Sequence, residues 1–298
     1  MTLLQTNIVS KATGKGTGLH VTMRNRLVVF TAHLAALVAL FITTTALSLA
    51  QSPPINGLAH VAISVADVKA SRAFYQKLGF EEFFAFEKDG VISQSFLKVN
   101  DRQFIELYPV STHTPIGFLH LCFEGDDLNA LHQFNVDAGL TPISVRKAGA
   151  GNLLFTQRGP EDQNIEYTQY LPGSRHSQDR GKHLGPHRIS DNLFAVGLSM
   201  KDIPAALAFY TQKLQFPTVP GHPNLLRIPG PSQQQILFEP YTGTQAYLFF
   251  SVPHLRHTKA QLKHLGIPFV TGKNQITISD PDGNLLTLKQ DRTNLTAD

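Results

Sequence analysis

Four residues stand out as a chemical set: His60, Glu106, His120 and Glu166. Glu106 follows His60 by 46 residues and Glu166 follows His120 by the same 46, so the second pair repeats the first at an offset of 60. Two imidazoles and two carboxylates are suitable ligands for a divalent transition metal. A lone histidine on a half-buried strand is ordinarily structural, and a strand-end glutamate is ordinarily solvated. Four such residues in duplicated register favour a metal site, because buried carboxylates are costly unless paired or metal-bound.

The elements that must position them can be read around each residue. His60 lies in the apolar run LAHVAISV and His120 in FLHLCFE, while Glu106 sits in QFIELYP and Glu166 in NIEYTQY. Side chains alternate across a strand, so His60 shares a face with Ala62 and Ser64, and His120 with Phe118 and Cys122. The other face carries Val61, Ile63, Leu121 and Phe123, which suits packing under helices. The first unit reads as strand 60–65 and a helix VKASRAFYQKL capped by Asp67 and stopped by Gly79. Strands near 82–86, 93–99 and 103–108 complete it. The second unit repeats this order: strand 118–123, a helix over about 126–138 closed by Gly139, and strands near 141–145, 152–157 and 165–170.

Beyond a Gly-, Pro- and charge-rich segment (172–191), the theme returns over 192–291. NLFAVGLSMKDIPAALAFYTQKLQF lies over GLAHVAISVADVKASRAFYQKLGF with one inserted residue in the helix. ILFEPY echoes FIELYP, AYLFFSV echoes GFLHLCF, and SDPDGNLLTLKQ echoes RGPEDQNIEYTQY. On this overlay His60 maps to Ala195, His120 to Phe249 and Glu166 to about Leu286, leaving Glu239 opposite Glu106. The second half therefore cannot repeat the metal site. The expected fold is α+β: four βαβββ units in two pairs, each pair a curved mixed sheet forming a cup with helices on its convex face. Pairing the first unit with the second is the one arrangement that unites all four ligands, so the cup is expected within residues 57–171.

Four units with His and Glu on their first and last strands resemble the vicinal oxygen chelate superfamily, over about residues 57–291. It includes glyoxalase I, extradiol ring-cleaving dioxygenases, methylmalonyl-CoA epimerase, and fosfomycin- and bleomycin-resistance proteins. The resemblance implies a divalent metal (Zn, Ni, Co, Mn or Fe(II)) on His60, Glu106, His120 and Glu166, and a small-molecule substrate. Glu106 as a fourth ligand implies Lewis-acid isomerase or lyase chemistry, with Glu166, and after it Glu106, as the catalytic proton carrier. The alternatives are an Fe(II) extradiol dioxygenase using His60, His120 and Glu166, and a binding protein that sequesters its ligand without turnover.

From Met23 the N-terminus reads MRNRLVVFTAHLAALVALFITTTALSLAQS, a basic start, an apolar stretch and small residues before a cleavage point after Ala50. Residues 1–50 are expected to be a signal peptide with Met23 the more natural start, and the protein periplasmic or secreted. An uncleaved anchor helix is the alternative. Export makes glutathione adducts a poor substrate, because that thiol pool is chiefly cytoplasmic. Cleavage would remove Lys11, Lys15, Arg24 and Arg26, leaving 22 basic and 22 acidic residues of the 26 and 22 in the whole chain. That balance argues against a nucleic-acid partner or a stable membrane partner. A homodimer is compatible with the sequence. The single Cys122 excludes an intrachain disulfide and is expected to be a small buried apolar group. Arg102, Arg146, Lys147 and Arg158 read as surface charge, and Tyr108 and Tyr170 as wall residues near the ligand strands. His176, His183 and His187 read as part of a solvated linker, because Gly185 and Pro186 oppose a helix that would align the last two.

Overall fold

The computed structural model describes residues 52–290, so the signal-peptide reading of residues 1–50 lies outside the described residues. The N-terminal half forms strands β1 (Gly57–Val65), β2 (Glu82–Lys88), β3 (Val91–Lys98), β4 (Phe104–Pro109) and β5 (Gly117–Glu124). It continues with β6 (Arg146–Lys147), β7 (Leu153–Arg158) and β8 (Asn164–Gln169), with helices α1 (Val68–Lys77) and α2 (Leu128–Asp137) between strands. These eight strands make one sheet in the order β2-β3-β4-β1-β5-β8-β7-β6, which joins the first unit to the second as expected. The strand expected near 141–145 is displaced to the two residues of β6. Pro142 has no amide to give a ladder, and only Ile143 N–H reaches Thr156 O, at 2.9 Å.

Local chemistry sets the helix ends. The Asp67 carboxylate accepts from the amides of Lys69 and Ala70, and Asp127 accepts from Ala130. Gly79, at φ +88°, leaves α1 in the left-handed conformation that a side chain would strain. Tyr75 of α1 and Leu131 of α2 are buried against the sheet's apolar face, where Val61, Ile63, Leu121 and Phe123 have no exposure.

The C-terminal half repeats the plan. Strands β9 (Leu193–Met200), β10 (Thr218–Val219), β11 (His222–Arg227), β12 (Gln235–Pro240) and β13 (Tyr247–Val252) are followed by β14 (Val270–Gly272), β15 (Gln275–Ser279) and β16 (Leu285–Gln290). Their order, β10-β11-β12-β9-β13-β16-β15-β14, matches the first sheet position for position. The residue inserted relative to α1 is absorbed as a π turn over Phe209–Lys213, directly after helix Ile203–Ala208. Leu214 N–H bonds Phe209 O, five residues back, so one extra residue is accommodated without shifting Tyr210 off the buried face.

The halves interlock reciprocally. The Asp282 carboxylate accepts from Ala66 N–H, before α1, at 3.3 Å, and Glu161 accepts from Lys201 N–H at 2.7 Å and Asp202 N–H at 2.8 Å, at the matching junction. Tyr75 donates to Asp280 at 3.2 Å and Tyr210 to Gln163 at 2.7 Å. Segment 172–191 is not the solvated linker expected of its composition. It contains a short helix, α3 (Arg175–Gln178), and buries Ser174, His176 and Asp179. The cause is Lys98, only 1% exposed, which donates to Asp179 Oδ2 (2.8 Å) and to the carbonyls of Asp179 (2.7 Å) and Lys182 (2.8 Å). A buried ammonium needs such acceptors, and the strap supplies them.

Candidate metal centre

The four candidate ligands occupy four adjacent central strands: Glu106 on β4, His60 on β1, His120 on β5 and Glu166 on β8. Strand register arranges them in two rows. Glu106, Ala62 and His120 lie opposite one another, and so do His60, Cys122 and Glu166, two residues along β1. An approximate twofold relation thus exchanges His60 with His120, Glu106 with Glu166, and Ala62 with Cys122. The small residues Ala62 and Cys122 sit between larger ligands and leave room for an ion.

His60 Nε2 lies 3.1 Å from His120 Nε2 and 3.5 Å from Glu166 Oε1, while His60 Nδ1 lies 3.1 Å from Glu106 Oε1. Glu106 is clamped further: its Oε2 accepts from Gln94 Nε2 at 2.8 Å and from Tyr108 OH at 3.0 Å, and Gln94 also bonds Tyr108. Glu166 is the less restrained carboxylate, with its side chain 14% exposed against 4% for Glu106. Burial, helped by the neighbouring Glu166 charge, pushes Glu106 up to about 8. Burial pushes Glu166 up to about 7, opposed by the Cys122 thiol and by Arg146. Burial drives His120 down to about 4 and holds His60 well below its usual range. The donor set therefore lacks a positive charge of its own. Two neutral imidazoles and two carboxylates whose ionisation burial opposes are what a divalent cation would satisfy. His60, Glu106 and His120 offer ligand atoms within 4.8 Å of one another, and so do His60, Cys122 and Glu166.

The site opens into a cavity of about 190 Å³ walled by Phe86, Phe96, Tyr108, Tyr170 and His176. Arg146 also lines it. The other cations read as surface charge do not: Arg102 pairs with Glu124 at 2.8 Å and Arg158 with Asp162 at 3.4 Å.

Residues 57–166 match the family model described as the Glyoxalase/Bleomycin resistance protein/Dioxygenase superfamily. Over these residues the chain is similar to this superfamily. No curated protein matches the chain in sequence. Among solved structures, the 2,3-dioxygenase LapB from Pseudomonas sp. KL28 has a TM-score of 0.61 at 15% identity, over 79% of this chain and 93% of its own. The Mn(II)-bound glyoxalase from Novosphingobium aromaticivorans has a TM-score of 0.62 at 14% identity, over 80% and 83%. A catechol 2,3-dioxygenase has a TM-score of 0.62 at 14% identity, over 83% and 91%. At these identities the likeness is one of fold, and both superfamily activities, ring cleavage and glyoxalase chemistry, occur on it.

The C-terminal cup corrects the sequence overlay. Ala195 does take the place of His60, since both stand seven residues before a capping aspartate, Asp67 or Asp202. Ala195 pairs with Gln235 and Gly197 with Leu237, so Leu237 takes the place of Glu106, and Glu239 that of Tyr108. Gly197 also pairs with Tyr247, which replaces His120 in place of Phe249. Thr287, in place of Leu286, replaces Glu166 opposite Phe249. The overlay slipped because ILFEPY and FIELYP share composition two residues out of register, whereas Pro109 and Pro240 give the true alignment. None of the four candidate positions keeps a His or Glu in the second cup.

Sequence reasoning missed Gln94, whose single amide gave no signal, and His176, set aside with its segment. His183 bonds Asp179 at 2.6 Å. Among the described residues no metal-type cluster includes His183 or His187. Cys122 is fully buried as expected, with its thiol pushed well up by burial and then by the Glu166 charge.

Proposed function

We propose that this chain is an exported, metal-dependent enzyme that moves a proton on a small oxygen-bearing substrate, an isomerase or lyase reaction. The observation that carries this reading is the pair of carboxylates flanking two imidazoles in contact at the base of one cavity. When bound there, a divalent metal would supply Lewis-acid polarisation of a substrate oxygen. Glu166 is the base, because it is the less restrained carboxylate and faces the cavity beside His60. Glu106, held by Gln94 and Tyr108, is the fixed carboxylate that would stay with His60 and His120 as a ligand. The aromatic walls exclude water from the reacting carbon. Export rests on the pattern of residues 23–50, and an N-terminus at Gln51 in protein recovered outside the cytoplasm would test it.

A second reading, an Fe(II) ring-cleaving dioxygenase, is favoured by one detail: His60 Nε2 faces His120 and Glu166 together, while Glu106 takes the other nitrogen of the same ring. The test is proton exchange against oxygen uptake. Metal-loaded protein is incubated in D₂O with α-hydroxycarbonyl compounds and catechols, with proton NMR beside an oxygen electrode. Deuterium entering at carbon without oxygen uptake is the expected result, reduced about 10²–10⁴-fold in Glu166→Gln. Oxygen uptake with ring opening would replace this reading by the second. Tight binding without either would favour sequestration.

A further inference from the structure

The strap brings into the cup one group that the four metal-type residues do not use. His176 is 4% exposed and lines the cavity. Its ring stacks on Tyr170, with centroids 4.6 Å apart and planes 26° from parallel, and it stands edge-on to Phe104 at 4.9 Å and Phe83 at 5.2 Å. Neither ring nitrogen meets a hydrogen-bonding partner among the described residues. Two more polar atoms of the same wall share this condition, the Tyr170 hydroxyl and Asn152 Oδ1.

A buried polar group without a partner destabilises the fold, and phenylalanine would fill this aromatic cage without that cost. The imidazole is nevertheless held firmly in place. Lys98 anchors the strap three residues on, at Asp179. On the other side, Arg175 N–H bonds Ala150 O at 2.9 Å, and the Arg175 guanidinium lies 4.9 Å over the Phe84 ring. Burial keeps the ring neutral, down to about 4, so it offers one N–H donor and one acceptor nitrogen and no charge. Such a group suits a hydroxyl or carbonyl oxygen better than an anion. The space is right for one ring, since apolar cavities of about 150 Å³ admit benzene.

We propose that His176 is a substrate-binding residue: with Tyr170 and Asn152, it hydrogen-bonds a neutral hydroxyl or carbonyl of a flat, ring-bearing substrate whose other oxygens face His60, Glu106, His120 and Glu166. This rests on reading those four as a metal site.

The test uses 4-nitrocatechol, whose absorbance shifts on binding, titrated into Mn(II)-loaded full-length protein and into its His176→Phe variant. The expected result is about tenfold or more weaker binding in the variant, with metal content unchanged and thermal stability equal or higher, since an unpaired buried polar group is gone. A purely structural His176 would lower stability and leave the affinity alone. Equal affinity in variant and parent overturns the proposal. Tyr170→Phe, which removes only the second unpartnered hydroxyl, keeps the question open to experiment if His176→Phe does not fold; a several-fold loss is expected there. Metal-free protein that binds the dye as tightly as loaded protein would contradict the metal site, and the His176→Phe comparison would still decide the part played by His176.

Discussion

At the scale of single residues, the site is defined by groups whose preferred charge states the fold opposes. Glu106 and Glu166 stay protonated to about 8 and 7 in the metal-free fold, against a usual 4.5, so between 4.5 and those values the folded chain binds more protons than the unfolded one. Its stability therefore falls as pH rises through that interval. His120 and His176, lowered from 6.5 to about 4, act oppositely but only below 6.5. Metal-free protein should accordingly lose thermal stability between pH 6.5 and about 8, and added Mn(II) should raise Tm more at pH 8 than at pH 6. Calorimetry across that range checks both, and a Glu106→Gln, Glu166→Gln double variant should flatten the metal-free trend. The convergence of His60, Glu106, His120 and Glu166 on one face was legible in the sequence, because a duplicated His–Glu spacing constrains both face and strand. Gln94 was not: nothing local marks an amide that becomes important only when β3 lies beside β4. His176 was misread because Gly, Pro and charge describe the strap's backbone, while its burial comes from Lys98, a residue 78 positions away.

At the scale of elements, the strap is the part that composition described least well. Lys98 also pairs with Asp101 at 2.8 Å, so its ammonium satisfies two carboxylates and two carbonyls. Replacing it by methionine leaves Asp179 largely buried without its cation and should cost about 3–5 kcal/mol. Denaturant unfolding would measure that loss, and limited proteolysis should cut first within 172–191. An unchanged midpoint would show that the strap is held otherwise. Helix α1, by contrast, could be read almost to the residue, because the cap Asp67 and the stop Gly79 act locally. The extra residue beyond Ile203–Ala208 was visible as an insertion, but its form as a π turn depends on keeping Tyr210 buried against the other half.

At the scale of the whole molecule, one half supplies the metal-type residues and the other braces it along a seam at the start of β5. Gly117, at φ +115°, opens β5 where a Cβ would lie 2.0 Å from Thr244 O, and Phe118 N–H bonds that same oxygen. Gly117→Ala should loosen this seam and lower Tm by several degrees while leaving metal content at the level of the parent. Calorimetry beside elemental analysis would separate the two effects. The paired-unit plan followed from the repeats alone. The exact register of the second cup did not, because a two-residue slip preserves its apolar alternation, and matching the two Glu residues overrode the Pro109–Pro240 match that the ladder partners bear out. With Ala195, Leu237, Tyr247 and Thr287 at the four positions, the second cup should take no metal, so the predicted stoichiometry is one ion per chain.

The most direct test of the metal assignment is the metal content of the full-length protein by elemental mass spectrometry, after reconstitution with Zn, Ni, Co, Mn and Fe(II) in turn. A His60→Ala, His120→Ala double variant is measured beside it. About one divalent ion per chain in the parent and none in the variant is the predicted result. A parent that stays empty with every metal, or a variant that retains the ion, would contradict it.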